Sequence, residues 1–574
     1  MAGPVVLFTL GLLLFQSMSG LMVPSVSAAP DNSTNSTASG NYTVLQVPNS
    51  VGGGFEPHIL VAPGVDGHEW IYIDSPTGLG SGKSGNLYIS KDHGKTWTPN
   101  MKGIVVSSAL GSGDSYTAVT GDGTIYFTDL WLFTATVDTS NDGGKTWIKN
   151  PQASVTPLDD RQWFALGPAV GSNPFKQPQS LYFEYNQIPA GLYLMKSQVT
   201  KWGWGWRPCN KYVPISTSVG SRDNFMVDQQ DGTIYLPNTE GSARTDLEMY
   251  TSTDGCASFK KTHVFTGTSV IQNIFVVGDI DASGNVYLVW STQDNVSMAR
   301  STDKGATWKT FNVTTTPGTR VLPWITAGDT GRIGICYYET NVTGDSEQMA
   351  NTTQWGVMSA ISIDALSEQP NFTFQQVTNY THSGAIRVSG TGGNSDRDLG
   401  DYMSDDMDQY GRHVMTFGYD GNDGANHYHS AVMFAVQREG PFLKKGVGPI
   451  ANFTYHLEGM KIYVDGTRSY DMSGEGIIGY DWTWGDTLND TGNAPVLSHG
   501  FKKGGIYTVK LRVTNGIDMT NSTWQNVTIR VNGGIAISPP LAIAAIVIIA
   551  AVLVTYIFRK KIKGIFGRKD RVQK

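Results

Sequence analysis

Ser90–Trp97 reads SKDHGKTW, and the pattern returns as SNDGGKTW (Ser140–Trp147), STDGCASF (Ser252–Phe259) and STDKGATW (Ser301–Trp308). The shared form is S-x-D-x-G-x-[TS]-[WF], with Cys256 standing at the Gly position of the third copy, and aspartates at 92, 142, 254 and 303. Successive gaps of 50, 112 and 49 residues set a period near 50, the middle gap holding one unit that has lost the pattern. An Asp carboxylate accepts hydrogen bonds from backbone N–H groups of its own loop, and Gly supplies a positive φ. The terminal aromatic then starts a strand and packs between units. Asp92, Asp142, Asp254 and Asp303 are therefore structural residues.

Working outward, each box neighbours a strand, an Asp/Gly turn and a second strand. Examples are SYTAVTGDGTIYFTDL (115–130), NFMVDQQDGTIYLPNT (224–239) and FVVGDIDASGNVYLVWS (275–291). A fourth clear copy at 405–420 and looser copies at 58–74, 162–185 and 323–339 make seven units between Phe55 and Gln437, without a helix-period segment. Such units predict an all-β β-propeller of seven blades, with six as the alternative. The last unit offers three strands, so Tyr42–Val47 is the expected fourth, closing the ring and removing an edge.

Composition agrees. Gly is 67 of 574 residues, aromatics are 11% and charged residues only 16%, which excludes disordered and helical-bundle classes. Three cysteines, Cys209, Cys256 and Cys336, exclude a Cys-rich scaffold or zinc module, and leave open which pair bridges. The net charge of -7 is unevenly spread: residues 559–574 hold eight basic side chains and one acid, leaving 34 basic against 48 acidic in 1–558. An acidic body excludes nucleic acid as a partner.

The ends carry targeting signals. Residues 1–29 read as a signal peptide and 30–41 as an Asn/Ser/Thr-rich linker. Residues 535–558 contain eighteen uncharged residues, Leu541–Phe558, predicting one transmembrane helix with 559–574 as a basic cytoplasmic tail. The expected placement is the cell membrane, single-pass, with the ectodomain outside. Glycosylation sequons begin at Asn32, Asn35, Asn41, Asn295, Asn312, Asn341, Asn351, Asn371, Asn379, Asn452, Asn489, Asn521 and Asn526, all on the expected outer side.

The boxes resemble the Asp-box (BNR) repeats of sialidase-like propellers; the resemblance covers roughly residues 50–440, within a propeller placed at 42–440. From Gly448 the character changes. YVDGTRSYDMSGEGIIGYDWTWGD (Tyr463–Asp486), G-x-Y-T-V-x-L-x-V at 505–513 and Trp484-Gly485-Asp486 resemble a PKD domain, placed at 447–532. That resemblance implies an Ig-like β-sandwich serving as spacer or adhesion module. Alternation puts Tyr507, Val509, Leu511 and Val513 on one face.

The sialidase resemblance implies three arginines gripping a carboxylate, a Tyr–Glu nucleophile pair and an Asp acid/base. Its first arginine lies in an Arg-Ile-Pro segment before the first box, where this chain has Phe55-Glu56-Pro57-His58. Arg161, Arg320 and Arg397 stand at the starts of innermost strands and are the candidate triad; pairing of each with an adjacent acid is the competing reading. Asp160 and Asp398 are acid/base candidates, and Tyr338 and Glu339 the nucleophile pair. Trp202, Trp204 and Trp206 would form a sugar-stacking ligand platform, with inter-blade packing as the rival. No cofactor or metal is implied, apart from a weak structural-calcium signal at 420–424 beside His427 and His429, where a plain turn competes. No HExxH, P-loop, GxSxG or CxxC is present.

The expected function is a membrane-anchored cell-surface glycoprotein binding extracellular glycans or glycoproteins. The alternative is an exo-acting glycoside hydrolase of sialidase type. A sorting receptor of the Vps10 type needs about ten blades and a Cys-rich module, for which three cysteines are too few.

Overall fold

Each hairpin-and-box unit folds into its own antiparallel sheet. A computed structural model describes residues 37–39, 41–50, 55–77, 84–99, 113–131, 134–150, 153–154, 156–169, 179–187, 191–198, 206–209, 223–241, 244–268, 270–271, 275–292, 294–387, 399–420, 430–486 and 493–530. Six four-stranded sheets follow one another in sequence order. Their first strands are His58–Pro63, Ser115–Val119, Asp159–Ala169, Met226–Val227, Val277–Ile280 and Thr319–Ala327. A seventh sheet begins with Ser404–Met407 and takes in Tyr42–Gln46, which pairs antiparallel with Ala431–Gln437. Each first strand lies against the first strand of the next sheet, and Ser404–Met407 lies against His58–Pro63, so the circuit closes. Tyr42, buried in the strand that completes the seventh sheet, donates its hydroxyl to Ser359 Oγ of the sixth at 2.8 Å.

The box turns join neighbouring sheets. In the first, Asp92 Oδ1 accepts from Ser90 Oγ (2.9 Å) and from the Thr96 N–H (2.8 Å), while Oδ2 accepts from Thr96 Oγ1 (2.6 Å). Asp142, Asp254 and Asp303 repeat this with Thr146, Ser258 and Thr307. A Cβ on Gly94 would sit 2.1 Å from Phe434 of the seventh sheet, so the turn packs too closely for a side chain there. In the fourth sheet that position is Cys256, bonded to Cys209 at the end of the third. The sixth sheet has a turn that lacks the sequence pattern: Asp364 accepts from Ser362 Oγ at 3.0 Å and from Asn371 Nδ2 at 2.7 Å.

The chain divides into two compact units. One holds residues up to Ile450 with 470–479 and 513–521; the other holds 451–469, 480–512 and the remainder. The second is built on the three-stranded sheet of Thr454–Glu458, Lys461–Asp465 and Val496–Gly500, with Trp482, Ile462, Val464, Val509, Leu511 and Val527 buried. Trp484 stacks on His499 at 4.7 Å, and His499 Nε2 is 2.9 Å from Asp486 Oδ2.

One expectation is corrected. No helix among the described residues is long and apolar enough to cross a membrane, and the expected transmembrane helix at 535–558 lies outside them. The fold is all-β, with separate sheets and the PKD module toward the C-terminus. The single-pass placement rested on that helix, and nothing in the described residues supports it. The signal segment 1–29 and the tail 559–574 also lie outside the described residues.

Candidate functional site

The first strands, with the one or two residues just before them, bring one large ring each toward the centre. His58 stacks on Tyr116 (3.8 Å), Tyr116 meets Trp163 (5.1 Å), and Trp163 meets Phe275 (5.4 Å), Trp324 (6.0 Å) and Tyr402 (5.6 Å). Phe225 holds the matching place immediately before Met226–Val227, and all seven side chains are buried. Six of these rings, all but Phe225, meet in one buried aromatic cluster.

Two residues before those rings stand Glu56, Asp114 and Arg161. Arg161 interrupts its strand at a β-bulge with φ 52°, and Glu56 has φ 48°, both costly for residues with a Cβ. The bends aim the two side chains at each other. Arg161 Nη1 and Nη2 donate to Glu56 Oε2 and Oε1 at 2.9 and 3.2 Å, and Nη2 also donates to Asp401. Asp114 Oδ1 lies 3.4 Å from Nη1. Gly400 fits this corner because a Cβ there would meet Glu56 Cγ at 2.1 Å. One guanidinium thus ties the first, second, third and seventh sheets together and is only 4% exposed.

Electrostatics follow from that burial. Desolvation pulls the Arg161 guanidinium toward neutrality, but Asp114 and Glu56 outweigh it and hold its pKa above the ordinary value. Burial, reinforced by Glu56, pushes the Asp114 carboxyl up despite Arg161. Three carboxylates engage both terminal nitrogens of the guanidinium, and the buried Nε–H has no hydrogen-bond partner.

The other candidates do not gather there. Arg320 donates Nε to Glu339 (2.7 Å), Nη1 to the Asp294 and Thr316 carbonyls (3.0 and 2.8 Å) and Nη2 to Thr316 Oγ1 (2.8 Å). Tyr338 and Glu339 are consecutive on one strand and point oppositely: Tyr338 Oη accepts the Gly418 N–H at 3.1 Å, while Glu339 turns to Arg320. Asp160 is half-buried opposite Asn186. Trp206 packs in the third sheet, 5.5 Å from Phe183 and stacked 6.3 Å from Phe164. Arg397, Asp398, Trp202, Trp204, His427 and His429 lie outside the described residues, as do 421–424. Asp420, the start of the candidate calcium loop, lies 2.9 Å from His382 and accepts from Tyr380 Oη at 2.8 Å. Among sequons, Asn312, Asn341, Asn351, Asn371, Asn379, Asn452 and Asn526 are exposed, Asn295 and Asn521 are half-buried, and Asn489 is outside the described residues.

Sequence reasoning passed over Glu56 and Asp114 as functional partners. Lining up the units on their inner strands was the available signal, since each aromatic axis residue has the same place.

Comparison with known proteins places a PKD domain at 447–531. No curated protein matches the chain. Among solved structures, the PKD1 domain of Vibrio anguillarum Epp is 25% identical, covering 15% of this chain and 99% of its own, with TM-score 0.14. A protein of unknown function from Dyadobacter fermentans is 15% identical over 70% of this chain and 99% of its own, with TM-score 0.40. NanB sialidase from Streptococcus pneumoniae is 12% identical over 71% of this chain and 70% of its own, with TM-score 0.38. The chain carries a PKD domain, and its structural neighbours include sialidase-like proteins.

Proposed function

We propose that this protein binds extracellular glycans or glycoproteins through its ring of sheets and does not cleave them, with the PKD module as spacer or adhesion element. The observation that carries the reading is the closure of Arg161: Glu56, Asp114 and Asp401 occupy the guanidinium that a sialidase would present to its substrate. Arg320 is likewise committed to Glu339 and backbone carbonyls. The aromatic cluster beside the arginine supports the same conclusion, because Trp163, Trp324 and Tyr402 pack against one another there. The Cys209–Cys256 disulfide fits an oxidising, extracytoplasmic compartment. The test is a glycan array probed with the purified protein: retention on a defined subset of glycans supports binding, and uniform absence of retention on glycans and glycoproteins overturns it.

A further inference from the structure

The fourth position of every box adopts a left-handed backbone: His93 at φ 60°, Gly143 at 74°, Gly255 at 69° and Lys304 at 58°. That turn lets the side chain reach the preceding sheet. Lys304 of the fifth sheet places its ammonium on Asp231, in the first hairpin of the fourth. The same position in the first sheet is His93, and it meets two carboxylates instead. Glu69 comes from the first hairpin of its own sheet, and Asp408 from the first hairpin of the seventh.

One ligand atom from each of Glu69, His93 and Asp408 lies within 4.8 Å of the others. His93 Nδ1 and Glu69 Oε1 are 3.7 Å apart; both atoms are buried and neither has a hydrogen-bond partner. That separation is too long for a hydrogen bond. It is close to the spacing of two ligands each about 2.1 Å from one ion. The remaining contacts orient the carboxylates as an outer shell would. Glu69 Oε2 accepts the Gln409 N–H at 2.6 Å. Asp408 Oδ1 accepts the Tyr410 and Arg412 N–H groups at 3.0 and 2.9 Å, and Oδ2 accepts Arg412 Nε at 2.6 Å. Arg412 balances one carboxylate, and the second faces the imidazole.

We propose that Glu69, His93 and Asp408 form a divalent-metal site of the zinc class, clamping the first sheet to the seventh where the ring's two chain ends meet. One imidazole nitrogen and two carboxylates suit Zn²⁺ with water completing the shell. The ion takes the slot that the Lys304 ammonium fills at the joint between the fourth and fifth sheets. Binding is structural and independent of glycan recognition.

The test is calorimetric titration of the chelator-stripped full chain with Zn²⁺, together with its thermal unfolding midpoint. One Zn²⁺ per chain and a raised midpoint are expected. His93→Gly, a residue that Gly143 and Gly255 already accommodate in this conformation, keeps the fold and weakens binding by about tenfold or more. His93→Lys copies Lys304 and makes the midpoint insensitive to zinc. Absence of zinc binding to the unmutated chain, or equal affinity in His93→Gly, overturns the proposal.

Discussion

Arg161 grips Glu56 with both terminal nitrogens, at 2.9 and 3.2 Å, across 105 residues of chain. The pair spans the first and third sheets without an intervening solvent path. Replacing Arg161 with Ala strands Glu56, Asp114 and Asp401 as buried, uncompensated acids. The expected loss is about 3–5 kcal/mol, read as a lowered urea midpoint. A loss comparable to that of a surface ion pair would contradict the hub.

Buried carboxyls should give the protein an acid-shifted stability profile. Burial pushes Asp138 to about 8, helped by Asp129, and raises Asp279 to about 7 and Asp406 to about 8. Their unfolded values lie near 4. The folded state therefore binds more protons between those limits, and its stability is full below about pH 4 and lost as pH rises through about 7–8. The box aspartates act oppositely at low pH: burial of Asp92 and Asp142 is outweighed by hydrogen bonds from Thr96 and Thr146, so their stabilisation fades only below the usual carboxylate range. Unfolding midpoints across pH 3–9 should fall on the alkaline side, and Asp138→Asn should flatten that slope.

Reduction of Cys209–Cys256, which closes a loop 47 residues apart in sequence, should cost about 4 kcal/mol of stability on chain-entropy grounds. Urea curves with and without reductant measure it. Because Cys336 is buried in the sixth sheet, the double variant Cys209→Ser/Cys256→Ser should match the reduced protein.

Asp364→Ala should behave as Asp92→Ala does. Each loses several local hydrogen bonds, about 1–2 kcal/mol, and neither should alter glycan retention. A silent Asp364→Ala would show that its turn is not equivalent to a box.

The box turns were legible in sequence because the hydrogen bonds to their aspartates come from within the same eight-residue box, and the strand alternation because its period is local. The partners of Arg161 were not: Asp401 is 240 residues away and no spacing rule connects them. Proximity in sequence also misled at Tyr338 and Glu339, since consecutive strand residues face opposite ways. His93 was hidden at a variable position of a structural motif, where only the ring brings Asp408 to it.

The most direct test of the central claim is turnover of an aryl sialoside by the purified protein, with a sialidase as positive control. The account predicts release of aglycone no faster than the buffer blank at any substrate concentration. Saturable, protein-dependent release would contradict it, because Glu56, Asp114 and Asp401 already engage both terminal nitrogens of the Arg161 guanidinium, the pair that would grip a sialic acid carboxylate.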